Sequence, residues 1–311
     1  MPAGDRTPED WSMPQESVKE KWLKKPLRRL AYPPYLKLIS PFMEKRFDPE
    51  GVLDANQWYW GNRGLEYAAL RRVVDGVCRI QGKSILIAGC GTGRDIPSWL
   101  PFLPAGILGV DYFDYSRSWN AVKAECRGKT SISFLQGNLE NLFQIADNSI
   151  DIVASDAVLE HLRNFPAVLS EFSRIIRPGG VMYATFGPLW HAWGGDHFSG
   201  HDSLSAGYNH LLLEKEAYQS YLNGGGEFSH SEHDGRTWIE NELFSYLRPL
   251  EYLQILDQSG LSRKHVGVVI EPNALKYQED YPEQAALLLQ RHSLLDLIVT
   301  GMTVIYEKPL K

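Results

Sequence analysis

The sequence is short of cysteine and of long hydrophobic runs. Its three cysteines, Cys78, Cys90 and Cys126, have no metal-like spacing, which argues against a disulfide scaffold and against a zinc site. No apolar stretch approaches the roughly 20 residues that cross a bilayer, and the first residues lack the hydrophobic core of a signal peptide. These absences predict a cytoplasmic protein.

Negative charge prevails, but unevenly. The net charge is −6, whereas residues 19–46 contain nine Lys or Arg against Glu20 and Glu44, which gives +7 locally and leaves −13 elsewhere. The basic charge of residues 19–46 has two interpretations. The segment either contacts a membrane peripherally or, as we favour, packs its apolar side on the main domain and leaves its basic side in solvent. The acidic remainder excludes nucleic acid as the main substrate. The oligomeric state stays open.

Chain organisation changes near residue 81. Residues 1–17 are polar and predicted to be flexible, and residues 18–80 form a helical segment whose aromatic part, 54–63, either packs on the core or closes over a ligand as a lid. Residues 81–311 are predicted to be one α/β domain of alternating strands and helices. Strands are predicted at 84–89, 106–111, 131–135, 150–155 and 180–186, with later apolar runs at 264–270 and 297–306. Helical or turn segments are predicted at 94–101, 115–127, 139–145, 165–177, 237–259 and 281–293.

A glycine-rich turn follows the first predicted strand. Gly89, Gly91 and Gly93 alternate with Cys90 and Thr92, so the backbone can turn sharply and present its N–H groups to a ligand. Twenty residues beyond Gly91, the second predicted strand ends in Asp111, where a carboxylate can bind a ribose. The glycine order G-x-G-x-G lacks the third glycine of the dinucleotide fingerprint.

Two further motifs follow in order. Asn148–Leu162 has Asp151 at the start of a strand and Ser155-Asp156 at its end, and Leu169–Tyr183 contains a helix, a Pro-Gly-Gly turn and another strand. Together with the glycine loop, they resemble class I S-adenosylmethionine-dependent methyltransferases of the small-molecule, methyltransferase-11-like type. The resemblance implies a Rossmann-like, mostly parallel seven-stranded sheet with helices on both faces, an N-terminal helical segment and a substrate cap at about 187–235. It also implies S-adenosylmethionine as the methyl donor.

The resemblance carries cofactor contacts over to specific positions. The loop backbone would lie against the methionine part of the cofactor, Asp111 would accept hydrogen bonds from the ribose hydroxyls, and Tyr112 would stack beside the adenine. Asn138-Leu139 stands where the family usually has an acidic residue that contacts the adenine amine. The predicted loop contacts are Gly89, Cys90, Gly91 and Gly93.

One position departs from the family pattern. Ile87 occupies the place, two residues before the first glycine, where an acidic residue near the methionine amine is common. We therefore predict that Asp156, or a residue of segment 54–63, balances the ammonium group. Arg63 either binds the methionine carboxylate as a two-pronged donor or forms a surface salt bridge.

Histidines supply the candidate bases, since methyl transfer from a sulfonium needs positioning, a dry pocket and sometimes proton removal. His161 is either a structural hydrogen-bonding residue or a catalytic one, and His191 and His197 lie in the predicted cap, where a hydroxyl acceptor would bind. A metal cluster in the cap matches no strong signature, so no metal is expected. The ligands considered for it are Asp196, His197, His201 and Asp202.

The favoured function is methyl transfer to a small or medium acceptor, at a hydroxyl of a sugar or natural product or at a carboxylate. An amine on a small molecule or peptide is the nearest alternative. A nucleotide-dependent oxidoreductase and a non-catalytic cofactor-binding protein are the other two classes.

Overall fold

Seven strands form one sheet in the computed structural model, which describes residues 67–128, 130–201, 203–224 and 238–310. Several predictions lie outside these residues: the flexible start at 1–17, the basic segment 19–46, the aromatic segment 54–63 with Arg63, Asp202, and the end of the cap at 225–235. They stay predictions.

The strand order is β3-β2-β1-β4-β5-β7-β6. Neighbouring strands from β3 to β5 pair in parallel, and β7 runs antiparallel to both β5 and β6. This confirms the Rossmann-like, mostly parallel sheet. The strands are β1 (Ser84–Ala88), β2 (Gly106–Asp111), β3 (Ser131–Gln136), β4 (Ile150–Asp156), β5 (Ile176–Phe186), β6 (Ser262–Ile270) and β7 (Val299–Glu307).

Helices connect the strands and build the cap. Asn164 caps the helix at 165–175 by accepting a hydrogen bond from Ala167 N, and Pro166 occupies its first turn. The α-helices are α1 (Ala68–Cys78), α2 (Ser116–Glu125), α3 (Phe165–Ile175), α4 (Asn209–Leu212), α5 (Lys215–Gly224), α6 (Pro249–Gln258), α7 (Pro272–Asp280), α8 (Pro282–Leu289) and α9 (Leu294–Ile298). The 3₁₀ turns are Ile96–Ser98, Leu100–Phe102, Leu159–His161 and Ser199–His201.

The predicted helix at 237–259 is interrupted: residues 238–240 form a helical turn, but residues 241–248 are not helical. Helix α6 begins only at Pro249, and Glu242 and Tyr246 before it have left-handed φ angles of 51° and 58°. Such residues interrupt a right-handed helix, and Pro249 fits its first turn because no backbone donor is needed there. The apolar residues between 243 and 248 therefore belong to a loop, which the helical spacing did not reveal.

Apolar side chains cover both faces of the sheet. Phe172, Met182 and Leu256 belong to the core on one face, and Ile87, Trp99 and Ile152 to the core on the other. The strand order reverses at β1: the chain adds β2 and β3 on one side of β1 and then returns to add β4 on the other side. The carboxyl ends of β1 and β4 therefore border the crevice where open α/β sheets bind ligands.

None of the described helices is long and apolar enough to span a membrane.

Candidate active site

The glycine loop leaves β1 in a conformation that suits glycine. Gly89, Gly91 and Gly93 have φ angles of 71°, 50° and 82°, all in the left-handed region. A Cβ on Gly89 would lie 2.3 Å from a methyl group of Val158, which follows β4. The loop thus needs glycine both for its turns and for its close approach to the segment after β4.

Asp111 joins the end of β2 to this loop. Its Oδ2 accepts a hydrogen bond from Gly91 N at 2.7 Å, and its Oδ1 accepts one from Phe113 N at 3.1 Å. The residue is 8% exposed, and burial raises the pKa of its carboxyl group to about 6 despite these bonds. Two motifs separated by twenty residues therefore meet at the crevice, with a buried carboxylate against the loop backbone.

Acidification is expected to weaken cofactor binding through Asp111. Below about pH 6 the carboxylate takes up a proton and becomes a poorer acceptor for ribose hydroxyls, so affinity should fall by up to about tenfold per pH unit. Calorimetric titration with S-adenosylhomocysteine, repeated at several pH values between 7.5 and 5, measures this change in affinity. In Asp111→Asn the same titration should be flatter, and an equal slope in both proteins would contradict the assignment.

The predicted adenine contacts lie around the ends of β2 and β3. The Tyr112 side chain is 64% exposed, and its ring meets that of Phe113 edge-on with centroids 5.3 Å apart. Asn138 is exposed and its Oδ1 accepts a hydrogen bond from Glu140 N, whereas Leu139 is buried. Tyr112 thus has a face available for stacking, while the Asn138 amide oxygen already has a local partner.

Trp119 is a loop-supporting residue that sequence reasoning missed. Its Nε1 donates a hydrogen bond to Gly91 O at 2.7 Å, and its ring stacks on Phe134 at a centroid distance of 5.1 Å. Cys90 is buried next to this group, and burial raises the pKa of its thiol well above the ordinary value. Cys90 therefore packs the loop and is not a thiolate nucleophile. The only sequence signal for this role was the position of Trp119, one turn into the helix that follows Asp111.

Asp156 has a protein partner that the sequence did not identify. Arg71 of α1 donates to both carboxylate oxygens, from Nη1 at 3.0 Å and from Nη2 at 2.5 Å, and Tyr183 Oη donates at 2.9 Å. Arg71 is fully buried, and its guanidinium lies 4.1 Å from the ring centroid of Trp99. Burial alone disfavours the cation, yet Asp156 raises the pKa of Arg71 above its ordinary value. The charge of Asp156 is thus already balanced by Arg71, and three of its hydrogen-bond acceptor sites are occupied.

Ile87 supplies no charge near the loop. It is 3% exposed and belongs to the apolar core beneath the sheet. The departure from the family pattern is therefore a packed hydrophobic residue, and the Arg71–Asp156 pair is the ionic group that the structure places at the end of β4.

His161 and His197 face each other beyond β4, with ring centroids 5.0 Å apart. His161 donates from Nδ1 to Leu243 O at 2.6 Å, which leaves its Nε2 unprotonated in the neutral form. Burial lowers the pKa of His161 to about 4, so the ring is neutral near pH 7. His197, which has a left-handed φ of 60°, places Nε2 3.3 Å from Pro188 O.

Glu160 lies beside these rings and was also missed. It is 2% exposed, its Oε1 accepts a hydrogen bond from Gly187 N at 3.0 Å, and burial raises the pKa of its carboxyl group to about 8. Its Oε2 is buried and has no hydrogen-bond partner among the described residues. A single ligand atom from each of Glu160, His161 and His197 lies within 4.8 Å of the other two.

His191 has different neighbours. Its Nε2 donates to Tyr246 O at 3.0 Å, and its ring lies 5.1 Å from that of His292. Burial lowers the pKa of His191, so this ring too is neutral near pH 7. The three candidate bases therefore divide into the His161–His197 pair and His191 with its own partners.

Comparison with known proteins assigns the motifs from β1 to β5 to one family. The family model described as "Methyltransferase domain" matches residues 86–184, from β1 through most of β5. Residues 86–184 form a class I S-adenosylmethionine-dependent methyltransferase domain. The glycine loop, Asp111, Asp156 and His161 all lie within this methyltransferase domain, whereas Arg71, His191 and His197 lie outside the match.

Relatives of the methyltransferase domain differ in the atom they methylate. A sterol 24-C-methyltransferase of Aspergillus fumigatus is 25% identical over 49% of this chain and 42% of its own length. A ubiquinone biosynthesis O-methyltransferase of Neisseria meningitidis is 22% identical over 65% of this chain and 76% of its own length. The chain thus spans less than half of the sterol enzyme, and the names of relatives do not give the acceptor of this protein.

A solved structure shows the same fold. One chain of the complex between the Haloferax volcanii Trm112 methyltransferase activator and a methyltransferase superposes with a TM-score of 0.51 and 14% identity. The match covers 85% of this chain and 99% of that one. At this identity the likeness extends to the fold alone.

The cap beside the methyltransferase domain encloses Asp196 rather than exposing it. Asp196 is fully buried and accepts hydrogen bonds from Phe198 N, Ser199 N, Ser199 Oγ and Tyr218 Oη. The Asp196 carboxylate thus stabilises the cap, while its neighbour His197 turns toward His161. The cluster weighed from sequence is therefore divided between two environments.

Proposed function

We propose that this chain transfers the methyl group of S-adenosylmethionine to a small or medium acceptor, at a hydroxyl oxygen. The contact of Asp111 with Gly91 N supports the cofactor part of this proposal, because a carboxylate beside the glycine loop at the end of β2 could accept hydrogen bonds from ribose hydroxyls. The match of residues 86–184 to the methyltransferase domain supports it.

The cap supports a small organic acceptor. The Trp190 ring packs against Phe244 and Tyr246 with centroids 4.7 and 4.8 Å apart, and Phe244 also lies 5.4 Å from the His197 ring. Aromatic walls with a few polar groups are typical of small-molecule sites. His161 and His197 would be the polar groups of such a site.

The neutral imidazoles of His161 and His191, whose pKa values are lowered by burial, support oxygen as the methylated atom. A hydroxyl oxygen forms its bond to the methyl carbon as the carbon–sulfur bond breaks, and the hydroxyl proton passes to an unprotonated nitrogen, leaving S-adenosylhomocysteine. A neutral amine can often react without such a base. His197 and His191 remain the candidates for this step, and His161 lies within reach of His197.

Mass-spectrometric detection of methylated products from a panel of hydroxyl, carboxyl and amine compounds tests the function. We expect hydroxyl compounds to gain one methyl group with release of S-adenosylhomocysteine. Methylation of amines alone would overturn the choice of oxygen. Cofactor binding with no product from the panel would favour a non-catalytic protein.

Substitution of the cap histidines tests the base. We expect His197→Ala or His191→Ala to lower turnover at least about tenfold, within the range of general-base contributions, without weakening cofactor binding. Single-turnover rates and calorimetry on the same preparations separate the two effects. Wild-type rates in both variants would exclude a cap base, and His265→Ala on the surface strand β6 serves as the control.

A further inference from the structure

We propose that Glu160, His161 and His197 bind a divalent transition-metal ion between the methyltransferase domain and the cap. No metal is expected from the sequence, and the ligands considered there, Asp196, His197, His201 and Asp202, share only His197 with this cluster. This inference goes beyond the proposed function, because the site can be tested in the full chain without cofactor or acceptor.

Two chain segments bring the three ligands together. Glu160 and His161 are adjacent on the 3₁₀ turn after β4, and His197 comes from the cap. Their ligand atoms lie within 4.8 Å of one another. Atoms bound to a tetrahedral ion at about 2.0–2.2 Å are separated by about 3.4 Å, so small side-chain rotations suffice to close the site.

The unpartnered oxygen of Glu160 is the second, independent observation. Oε1 is held by Gly187 N, which fixes the carboxyl group, while the buried Oε2 has no hydrogen-bond partner within the described ranges. A buried polar atom without a partner costs free energy, commonly about 1–3 kcal/mol. A cation at the cluster would satisfy this oxygen.

The hydrogen bonds of the two histidines resemble those of metal ligands. His161 donates from Nδ1 to the Leu243 carbonyl, so Nε2 retains its lone pair. His197 makes its bond to the Pro188 carbonyl through Nε2, which assigns the lone pair to Nδ1. A backbone carbonyl that orients the imidazole is a common feature around bound metals.

The ligand set selects the class of ion. Two imidazole nitrogens and one carboxylate suit Zn²⁺, Fe²⁺ or Co²⁺ better than Mg²⁺ or Ca²⁺, which prefer oxygen ligands. Three protein ligands leave a coordination position open. An acceptor hydroxyl or water at that position would lose its proton more easily, so the histidines would then act through the ion.

Metal titration of the full-length protein tests the site. After treatment with EDTA and dialysis, Zn²⁺ is added in competition with a chromogenic chelator, and bound metal is counted by mass spectrometry. We expect one equivalent per chain. Glu160→Gln keeps the bond from Gly187 N and should lower Zn²⁺ affinity at least about tenfold, as should His197→Ala.

Controls distinguish this cluster from adventitious sites. His265→Ala, on β6, should bind as much Zn²⁺ as the wild type, and far-UV circular dichroism checks that every variant is folded. Binding of Co²⁺ should give the visible absorption of a nitrogen- and oxygen-ligated ion in the wild type but not in Glu160→Gln. Less than half an equivalent of Zn²⁺ in the wild type, or unchanged affinity in Glu160→Gln, would overturn the proposal. Metal binding without methyl transfer would refute only the proposed function.

Discussion

Asp111→Ala is expected to lower the affinity for S-adenosylhomocysteine at least about 100-fold. Hydrogen bonds to a charged group contribute about 1.5–3 kcal/mol each, and two ribose hydroxyls would lose their acceptor. The substitution also leaves Gly91 N without the Asp111 carboxylate that it contacts at 2.7 Å. Loss of the ribose acceptor and loosening of the loop act in the same direction.

Isothermal titration calorimetry of the wild type and three variants measures this effect. Asp111→Asn preserves the size of the side chain and one acceptor oxygen, so its affinity should fall between those of the wild type and Asp111→Ala. Asp280→Ala removes a surface carboxylate paired with Lys276 and should bind like the wild type. Unchanged affinity in a folded Asp111→Ala protein, or binding of a nicotinamide dinucleotide instead, would refute the assignment.

Arg71→Ala is expected to lower the free energy of unfolding by about 3–5 kcal/mol. Removing one member of a buried ion pair leaves the other charge without compensation, and both Arg71 and the Asp156 side chain are almost fully buried. The change also removes the guanidinium from the face of the Trp99 ring. The damage should therefore be much larger than for a surface ion pair.

Urea unfolding of Arg71→Ala, Tyr183→Phe and a double variant tests the cause. Tyr183→Phe removes one hydrogen bond to Asp156 and should cost about 1 kcal/mol. Arg71→Met combined with Asp156→Leu removes both charges, so it should recover much of the stability lost in Arg71→Ala. A loss below about 1 kcal/mol in Arg71→Ala would show that Asp156 is compensated by another group.

Local sequence patterns predicted the sheet well. Buried parallel strands appear as short apolar runs, so the order of motifs was sufficient to predict β1 through β5, and the two later runs became β6 and β7. The prediction failed at 241–248, where leucines and aromatics at helical spacing lie in a turn and a loop. Their spacing reflects contacts with the cap and core, which periodicity alone does not distinguish from a helix face.

The positions of the glycine loop and of Asp111 were easier to predict than the partners of buried charges. A glycine loop and an acidic strand end are encoded within a few residues each, and the parallel sheet brings the ends together at its carboxyl edge. The partner of Asp156 is Arg71, 85 positions earlier, and nothing in the local sequence of either residue indicates the other. The prediction that Asp156 balances the cofactor ammonium therefore did not take its ion pair with Arg71 into account.

The sequence by itself determined the methyltransferase fold, the glycine loop and the position of Asp111, because these depend on local backbone preferences and on the order of strands. Only the tertiary structure decided that Arg71 neutralises Asp156 and that Glu160, His161 and His197 form one cluster. Both decisions depend on packing between segments far apart in the chain, where burial makes each unpaired charge or polar atom costly and so selects its partner.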